Sequence, residues 1–143
     1  MYIHSLLTLD SQYWRCKSTP YPPQIHNTGD VYPLPTHPRF LILEMYGGAY
    51  QDQDVYWVNR VPERILAYPS VISPDYHDGL FPERFNSGVI LSRRHASWLR
   101  HVVDSFHYFR DDKWLFNAGQ MPYRAFELHP DTVFVDRHMQ VCD

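Results

Sequence analysis

Two consecutive glycines, Gly47 and Gly48, place the strongest constraint on how this chain of 143 residues can fold. Glycine adopts left-handed backbone angles at little steric cost, so it commonly follows the last residue of a helix. The segment before the two glycines is apolar with helical spacing, which predicts a short helix that ends there. Its expected buried stripe consists of Leu41, Ile42 and Met45, with Leu43 beside it.

An acidic turn follows the glycines. Ala49 and Tyr50 begin an extended run that ends at Asp52-Gln53-Asp54. Alternate residues of an extended segment point to the same side, so the two carboxylates can converge on one point. Hard oxygen ligands suit Mg²⁺ or Mn²⁺, which is often held by one or two carboxylates together with the phosphates of a substrate. Aspartate pairs with this spacing are common, so the spacing alone does not establish a metal site.

The residues around this turn form a long, directional pattern. Arg39 stands eight residues before Gly47, and residues 46–54 follow the order Y-G-G-x-Y-x-D-x-D. This pattern resembles the core motif of the D-x-D sugar-binding glycosyltransferases, the relatives of α-1,4-galactosyltransferases and yeast-type α-1,6-mannosyltransferases. Together with the Asn86-Ser87-Gly88-Val89-Ile90 segment, the resemblance extends from Arg39 to the C-terminus.

The resemblance implies an α/β fold of the glycosyltransferase-A type, the nucleotide-diphospho-sugar transferase fold, in which helices flank a mixed sheet. It implies metal-dependent transfer of a sugar from a UDP- or GDP-linked donor to a glycan or glycolipid acceptor, with retention of anomeric configuration. Asp52 and Asp54 would hold Mn²⁺ or Mg²⁺, and Arg39, Tyr50, Asp52 and Asn86 would bind the donor. The implied location is the Golgi or secretory lumen. No catalytic base or nucleophile follows from the sequence.

Two further segments gain a role from the resemblance. Val89-Ile90-Leu91 predicts a buried strand, and Asn86 stands just before it, where the alternative is a plain turn. Asp136 or His138, after a predicted last strand at Thr132–Val135, would complete the metal coordination, with an ordinary turn as the alternative. Residues 114–119 would line the acceptor side.

The remaining periodicity predicts the other elements of an α/β domain. The expected elements are a strand at Val55–Val58, a loop at Arg60–Arg64, a short strand at Ile65–Tyr68, a helix at His95–Phe109, and a helix at Leu115–Leu128 whose regular part begins near Gly119. The acidic residues of the turn-rich loop 73–79 are interpreted as solvated.

The first 38 residues differ from the rest. Six of the twelve prolines lie between Pro20 and Pro38, a density that excludes a regular helix or a central strand. We therefore expect an irregular segment at 1–38 and a glycosyltransferase domain at 39–143 that is partial, with its N-terminal part truncated or altered. Pro35 and Thr36 stand where the resembled family tends to carry Ser-Asp, so a non-catalytic remnant or fragment of such an enzyme is the alternative function. A metal-dependent phosphohydrolase would explain the carboxylates but not the Tyr-Gly-Gly-x-Tyr sequence before them.

Composition narrows the possible partners. The net charge is −3 with neutral histidines, which gives no electrostatic footprint for nucleic acid. No apolar stretch reaches the roughly 18–20 residues that span a bilayer, and neither a signal peptide nor a membrane anchor is visible. Cys16 and Cys142 match no zinc-binding spacing, and both a disulfide between them and two free thiols remain open.

Overall fold

The computed structural model describes residues 14–16, 38–75, 83–110, 112–113 and 115–141, with the backbone alone at 14–16, 140 and 141. The strands are β1 (Trp14–Cys16), β2 (Gly48–Gln51), β3 (Val55–Trp57), β4 (Ser70–Pro74), β5 (Phe85–Ser92), β6 (Phe134–Val135) and β7 (Gln140–Val141). The α-helices are α1 (Pro38–Tyr46), α2 (Glu63–Leu66), α3 (Ser97–Asp104) and α4 (Met121–Leu128). This mixture of sheet and helices confirms the predicted α/β class.

The larger sheet has four strands in the order β2-β5-β4-β6. Strand β5 lies antiparallel to both β2 and β4, whereas β6 lies parallel to β4. One end of the sheet therefore contains the C-terminal ends of β2, β4 and β6 and the N-terminal end of β5. A second sheet has three strands, with β1 antiparallel to β3 and parallel to β7.

The predicted break at Gly47 is confirmed. Gly47 has a φ of +69° and Gly48 a φ of +110°, and the backbone N–H of Gly47 donates to the carbonyl of Leu43 at 2.8 Å. That bond satisfies one of the carbonyls left without a partner at a helix C-terminus. The chain thus changes from α1 to β2 within two residues.

Apolar side chains pack on both faces of the larger sheet. Ile72 and Ile90 belong to the first cluster, and their neighbours Val71, Val89 and Leu91 belong to the second, as expected from the alternation of a strand. The buried members of the first cluster are Phe40, Leu43, Ile72, Phe85, Ile90, Trp98, Leu99, Val102, Ala125 and Val133. The second cluster consists of Val55, Ile65, Val71, Val89, Leu91 and Met139.

The buried face of α1 differs from the prediction. Phe40 and Leu43 are buried, whereas Leu41, Ile42 and Met45 are exposed. The ring of Phe40 packs edge-on against Trp98 of α3 with the centroids 6.2 Å apart, so α3 determines which face of α1 is covered. Because Phe40 is fixed in the core, its neighbour Arg39 is held close to the C-terminal end of β2.

Several element boundaries also differ from the prediction. The proposed strand at Ile65–Tyr68 is wrong, because Glu63–Leu66 forms helix α2. The helix expected at His95–Phe109 is α3 followed by a 3-10 turn at Ser105–Tyr108, and the one expected at Leu115–Leu128 is a π-helix at Phe116–Gln120 followed by α4. The last strand is limited to β6, after a 3-10 turn at Pro130–Thr132.

Strand β1 lies within the segment that was expected to be irregular. The rest of residues 1–37 lies outside the described residues, and so do Cys142 and the side chain of Cys16, whose pairing therefore stays open. Among the described helices, none is long and apolar enough to cross a membrane.

Candidate functional site

An open cleft lies where β2 and β4 end and β5 begins. Asp52 follows β2, Asp75 follows β4, and Asn86 is the second residue of β5. The cleft and the open solvent at its mouth together occupy about 380 Å³. Its walls come from this end of the sheet, from the π-helix and from the residue before the π-helix. The lining residues are Asp52, Asp75, Phe85, Asn86, Ser87, Gly88, Leu115, Ala118 and Gly119.

Asp52 is held through its backbone and one carboxylate oxygen. Its backbone N–H donates to the carbonyl of Gly88 at 2.8 Å. Nη1 of Arg39 lies 3.2 Å from Oδ1, and the hydroxyl of Tyr50 donates to the same oxygen at 2.5 Å. The other oxygen, Oδ2, has no hydrogen-bond partner within the part of the chain that the structure describes. One oxygen therefore fixes the side chain, while the second remains available to a ligand.

Arg39 connects the two strands that form the site. Besides its contact with Asp52, Nη1 donates to the carbonyl of Ser87 at 2.9 Å. Its guanidinium carbon lies 4.5 Å from the centroid of the Tyr50 ring, within the range of a cation–π interaction. Arg39 therefore forms an ion pair with a carboxylate of the acidic turn, and a donor-binding role for it stays a prediction.

Tyr50 is a neutral hydrogen-bond donor at this site. Burial, followed by its hydrogen bond to Asp52, raises the pKa of Tyr50 to about 12. The positive charge of Arg39 opposes that rise in pKa, and the negative charges of Asp52 and Asp54 add to it. At neutral pH the phenol therefore keeps its proton and continues to donate to Asp52.

Asp54 lies in the turn between β2 and β3. The N–H of Val55 donates to the carbonyl of Asp52 at 3.1 Å, which closes a tight turn. The side chain of Asp54 is exposed, and it is not among the residues that line the cleft. Its negative charge is the smallest of the causes that raise the pKa of Tyr50. That Asp52 and Asp54 hold one metal ion together stays a prediction.

The described part of the chain contains no group of three or more His, Cys, Asp or Glu side chains placed to hold a metal ion. The free oxygen of Asp52 is a hard donor of the kind that Mg²⁺ and Mn²⁺ prefer. An ion here would take at most one or two ligands from the described residues, so the phosphates of a substrate would have to supply others.

Asn86 stabilises an irregularity in β5. Its Oδ1 accepts a hydrogen bond from the N–H of Gly88 at 2.9 Å. Both residues lie within β5, so the plain turn before a strand, the alternative to a binding role, is not what the structure has at Asn86. Strand β4 pairs Ile72 with Ile90 but Ser73 with Asn86, so residues 87–89 have no partner on β4. Asn86 therefore lies at this bulge and also lines the cleft.

Asp75 and Arg84 were not identified from the sequence. Their side chains form a very short ion pair, with 23% of Asp75 and 13% of Arg84 exposed. Asp75 lines the same cleft as Asp52 and is paired with Arg84, so its interpretation as a solvated loop residue is wrong. Only strand pairing brings the two segments together, and an aspartate in a turn-rich loop gives no signal of it.

Asp136 and His138 lie away from this cleft. Asp136 is buried beside β4, where its N–H donates to the carbonyl of Ile72 at 2.9 Å. Its Oδ1 accepts from the N–H of His138 at 2.9 Å, as in an ordinary turn after a strand. Three strand spacings, about 14 Å, separate β6 from β2, too far for Asp136 to share an ion with Asp52. Their metal role stays a prediction without a supporting contact.

Comparison of the chain with protein-family models, with curated proteins and with solved structures finds no match. The function is therefore argued from the motif and from the geometry of the cleft.

Proposed function

We propose that this protein is a metal-dependent glycosyltransferase that moves a sugar from a UDP- or GDP-linked donor to a glycan or glycolipid acceptor. One observation carries the proposal: Asp52, the first carboxylate of the Y-G-G-x-Y-x-D-x-D pattern, lies at the cleft with Oδ1 fixed, while Oδ2 has no partner among the described residues. The mixed sheet and its helices are compatible with a glycosyltransferase-A type fold.

Each residue of the site has a role in this proposal. Asp52 and Asp54 hold Mn²⁺ or Mg²⁺ against the donor diphosphate, and the bound ion supplies electrostatic stabilisation of the departing nucleotide. Arg39 and Tyr50 keep Asp52 in one orientation, since both contact the same oxygen. Asn86 shapes the strand end against which the donor lies. Such preorganised charge lowers a barrier because little reorganisation is needed during the reaction.

The proposed reaction retains the anomeric configuration of the sugar and takes place in the Golgi or another part of the secretory lumen. These two features rest on the motif resemblance. The residue that would act as base or nucleophile is left unassigned.

Calorimetry tests the donor site directly. UDP, and then GDP, is titrated into the protein with and without Mn²⁺, beside Asp54→Ala and a matched control, Asp104→Ala. Asp104 is an exposed aspartate at the end of α3, and it is not part of the cleft. We expect metal-dependent binding of one nucleotide by the wild type and the control, and its loss in Asp54→Ala.

Absence of nucleotide binding by a folded wild type would contradict the enzyme proposal and favour a non-catalytic remnant. Transfer and hydrolysis are then separated by adding a sugar acceptor to the nucleotide-sugar. A transferase yields an extended acceptor, whereas a hydrolase yields free sugar alone.

A further inference from the structure

The cleft combines a polar edge with an apolar wall. Asp52 and Asp75 provide carboxylates from the ends of β2 and β4, on the two sides of β5. Phe85, Leu115 and Ala118 provide apolar surface within the same cleft. A sugar ring has hydroxyl donors around its rim and C–H groups on its faces, so this combination suits a sugar better than a purely charged ligand.

The spacing of the two carboxylates argues against a shared ion. Strands β2 and β4 are separated by β5, which places their backbones about 10 Å apart. The aspartates are also displaced along β5, because the N–H of Asp52 bonds to Gly88 whereas that of Asp75 bonds to Arg84. Oxygen ligands of Mg²⁺ lie about 2.1 Å from the ion. The two carboxylates are therefore placed to contact different parts of one bound molecule rather than to share an ion.

Arg84 prepares Asp75 for this role. The ion pair is mostly shielded from water and keeps the Asp75 carboxylate oriented. A carboxylate has about four acceptor positions, so an ion pair with one arginine does not by itself exhaust them. Hydrogen bonds from a hydroxyl to a carboxylate are among the stronger ones in proteins.

We propose that the cleft holds the sugar ring of the donor and that Asp75, oriented by Arg84, is a specificity-determining residue that accepts hydrogen bonds from the sugar hydroxyls. This inference rests on the proposed function, because it assigns the sugar part of the same donor site. The nucleotide and its ion lie on the Asp52 side, and the transferred sugar lies toward Asp75.

The test compares nucleotides with nucleotide-sugars. Calorimetry in the presence of Mn²⁺ measures the affinities for UDP and GDP and for UDP-galactose, UDP-glucose and GDP-mannose. We expect Asp75→Asn to weaken binding of the preferred nucleotide-sugar about tenfold and to leave the affinity for its nucleotide within twofold. Arg84→Met keeps the carboxylate of Asp75 but removes the group that orients it. We therefore expect a loss of affinity for the nucleotide-sugar that is smaller than in Asp75→Asn, again with little change in affinity for the nucleotide.

Asp131→Asn is the matched control, since Asp131 is exposed and not part of the cleft. Unchanged nucleotide affinity in Asp75→Asn shows that the site remains folded. Equal losses for nucleotide and nucleotide-sugar, or no loss for either, would overturn the role of Asp75 while the glycosyltransferase proposal stands.

A separate measurement applies if the wild type binds no nucleotide, the result that contradicts the proposed function. Methyl glycosides of galactose, glucose and mannose are then titrated while the amide resonances of Ala118 and Gly119 are followed by NMR. Shifts in the wild type that are absent in Asp75→Asn would support the sugar site by itself. No shift with any of the three sugars would overturn it.

Discussion

Gly47→Ala tests whether the junction between α1 and β2 depends on glycine. Alanine at a φ of +69° costs about 1–2 kcal/mol. Its Cβ would also lie 2.5 Å from the backbone nitrogen of Arg94 and 3.2 Å from the carbonyl oxygen of Ser92. That backbone cannot withdraw freely, because Ser92 is paired with both Gly48 and Ser70. Overpacking of this kind adds about 1–3 kcal/mol.

The expected total is a loss of about 2–5 kcal/mol from the free energy of unfolding. Urea denaturation followed by circular dichroism measures it, and with a slope of about 1–3 kcal/mol per molar the midpoint should fall by roughly 1 M or more. Since small domains have about 5–15 kcal/mol in total, this is a large fraction.

Two further substitutions separate the backbone angle from the steric clash. Gly48→Ala introduces strain at a φ of +110° but meets no atom within 4 Å, so its cost of about 1–3 kcal/mol is strain alone. Gly47→Asn introduces the same clashing Cβ, but it reduces the cost of the positive φ because asparagine tolerates left-handed conformations. A Gly47→Asn variant as stable as the wild type would refute the clash, and full stability of Gly47→Ala would refute the whole argument.

Two other predictions concern the residues around Asp52, and a third concerns Asp136. A double-mutant cycle of Arg39→Met and Asp52→Asn should give a coupling free energy of about 1 kcal/mol in urea denaturation, reduced because a third of Asp52 is exposed; additive effects would contradict the ion pair. Tyr50, isolated as the difference between the ultraviolet titrations of the wild type and Tyr50→Phe, should show a pKa of about 12. Asp52→Asn should lower that pKa without restoring 10, because burial is the larger cause. Since the folded-state pKa is raised, the stability linked to Tyr50 is complete below pH 10 and is lost as the pH rises toward 12; an unchanged stability over that interval would contradict the shift. Asp136→Ala should cost about 1 kcal/mol through the lost hydrogen bond to His138 and leave Mn²⁺-dependent nucleotide affinity unchanged; loss of that affinity would instead assign Asp136 to the metal site.

The local elements around the glycines could be predicted because glycine and the acidic turn act over short distances. The buried face of α1 could not be predicted in this way. The helix has apolar residues on most of its sides, so periodicity does not distinguish Phe40 from Leu41. The choice depends on the position of Trp98, almost sixty residues away. The error at Ile65 had a local signal, since Pro62 followed by Glu63 is a common helix start.

The candidate site was predictable to a similar extent. The motif indicated Arg39 and Asp52, and the structure brings them into contact. The bond from Arg39 to Ser87 and the position of Asp75 depend on how β5 pairs with β2 and β4. The register between strands that are far apart in the sequence has no signature in a single sequence. Asp75 could therefore be assigned to the cleft only from the structure.

The charge of Arg39 leads to a prediction about the order of binding. Asp52 and Asp54 together carry two negative charges, and Arg39 offsets one of them from 3.2 Å away. The interaction energy of two unit charges about 4 Å apart near a protein surface is about 4 kcal/mol. A quarter of that energy, about 1 kcal/mol, already changes an affinity about fivefold. Mn²⁺ alone should therefore bind weakly, and a diphosphate should strengthen its binding by adding negative charge and oxygen ligands. Arg39→Met should bind Mn²⁺ alone about fivefold more tightly in calorimetry, whereas Arg124→Met, at an exposed arginine of α4, should not change the affinity. Weaker Mn²⁺ binding in Arg39→Met would mean that Arg39 acts mainly by orienting Asp52, and equally tight binding with and without the nucleotide would contradict the charge argument.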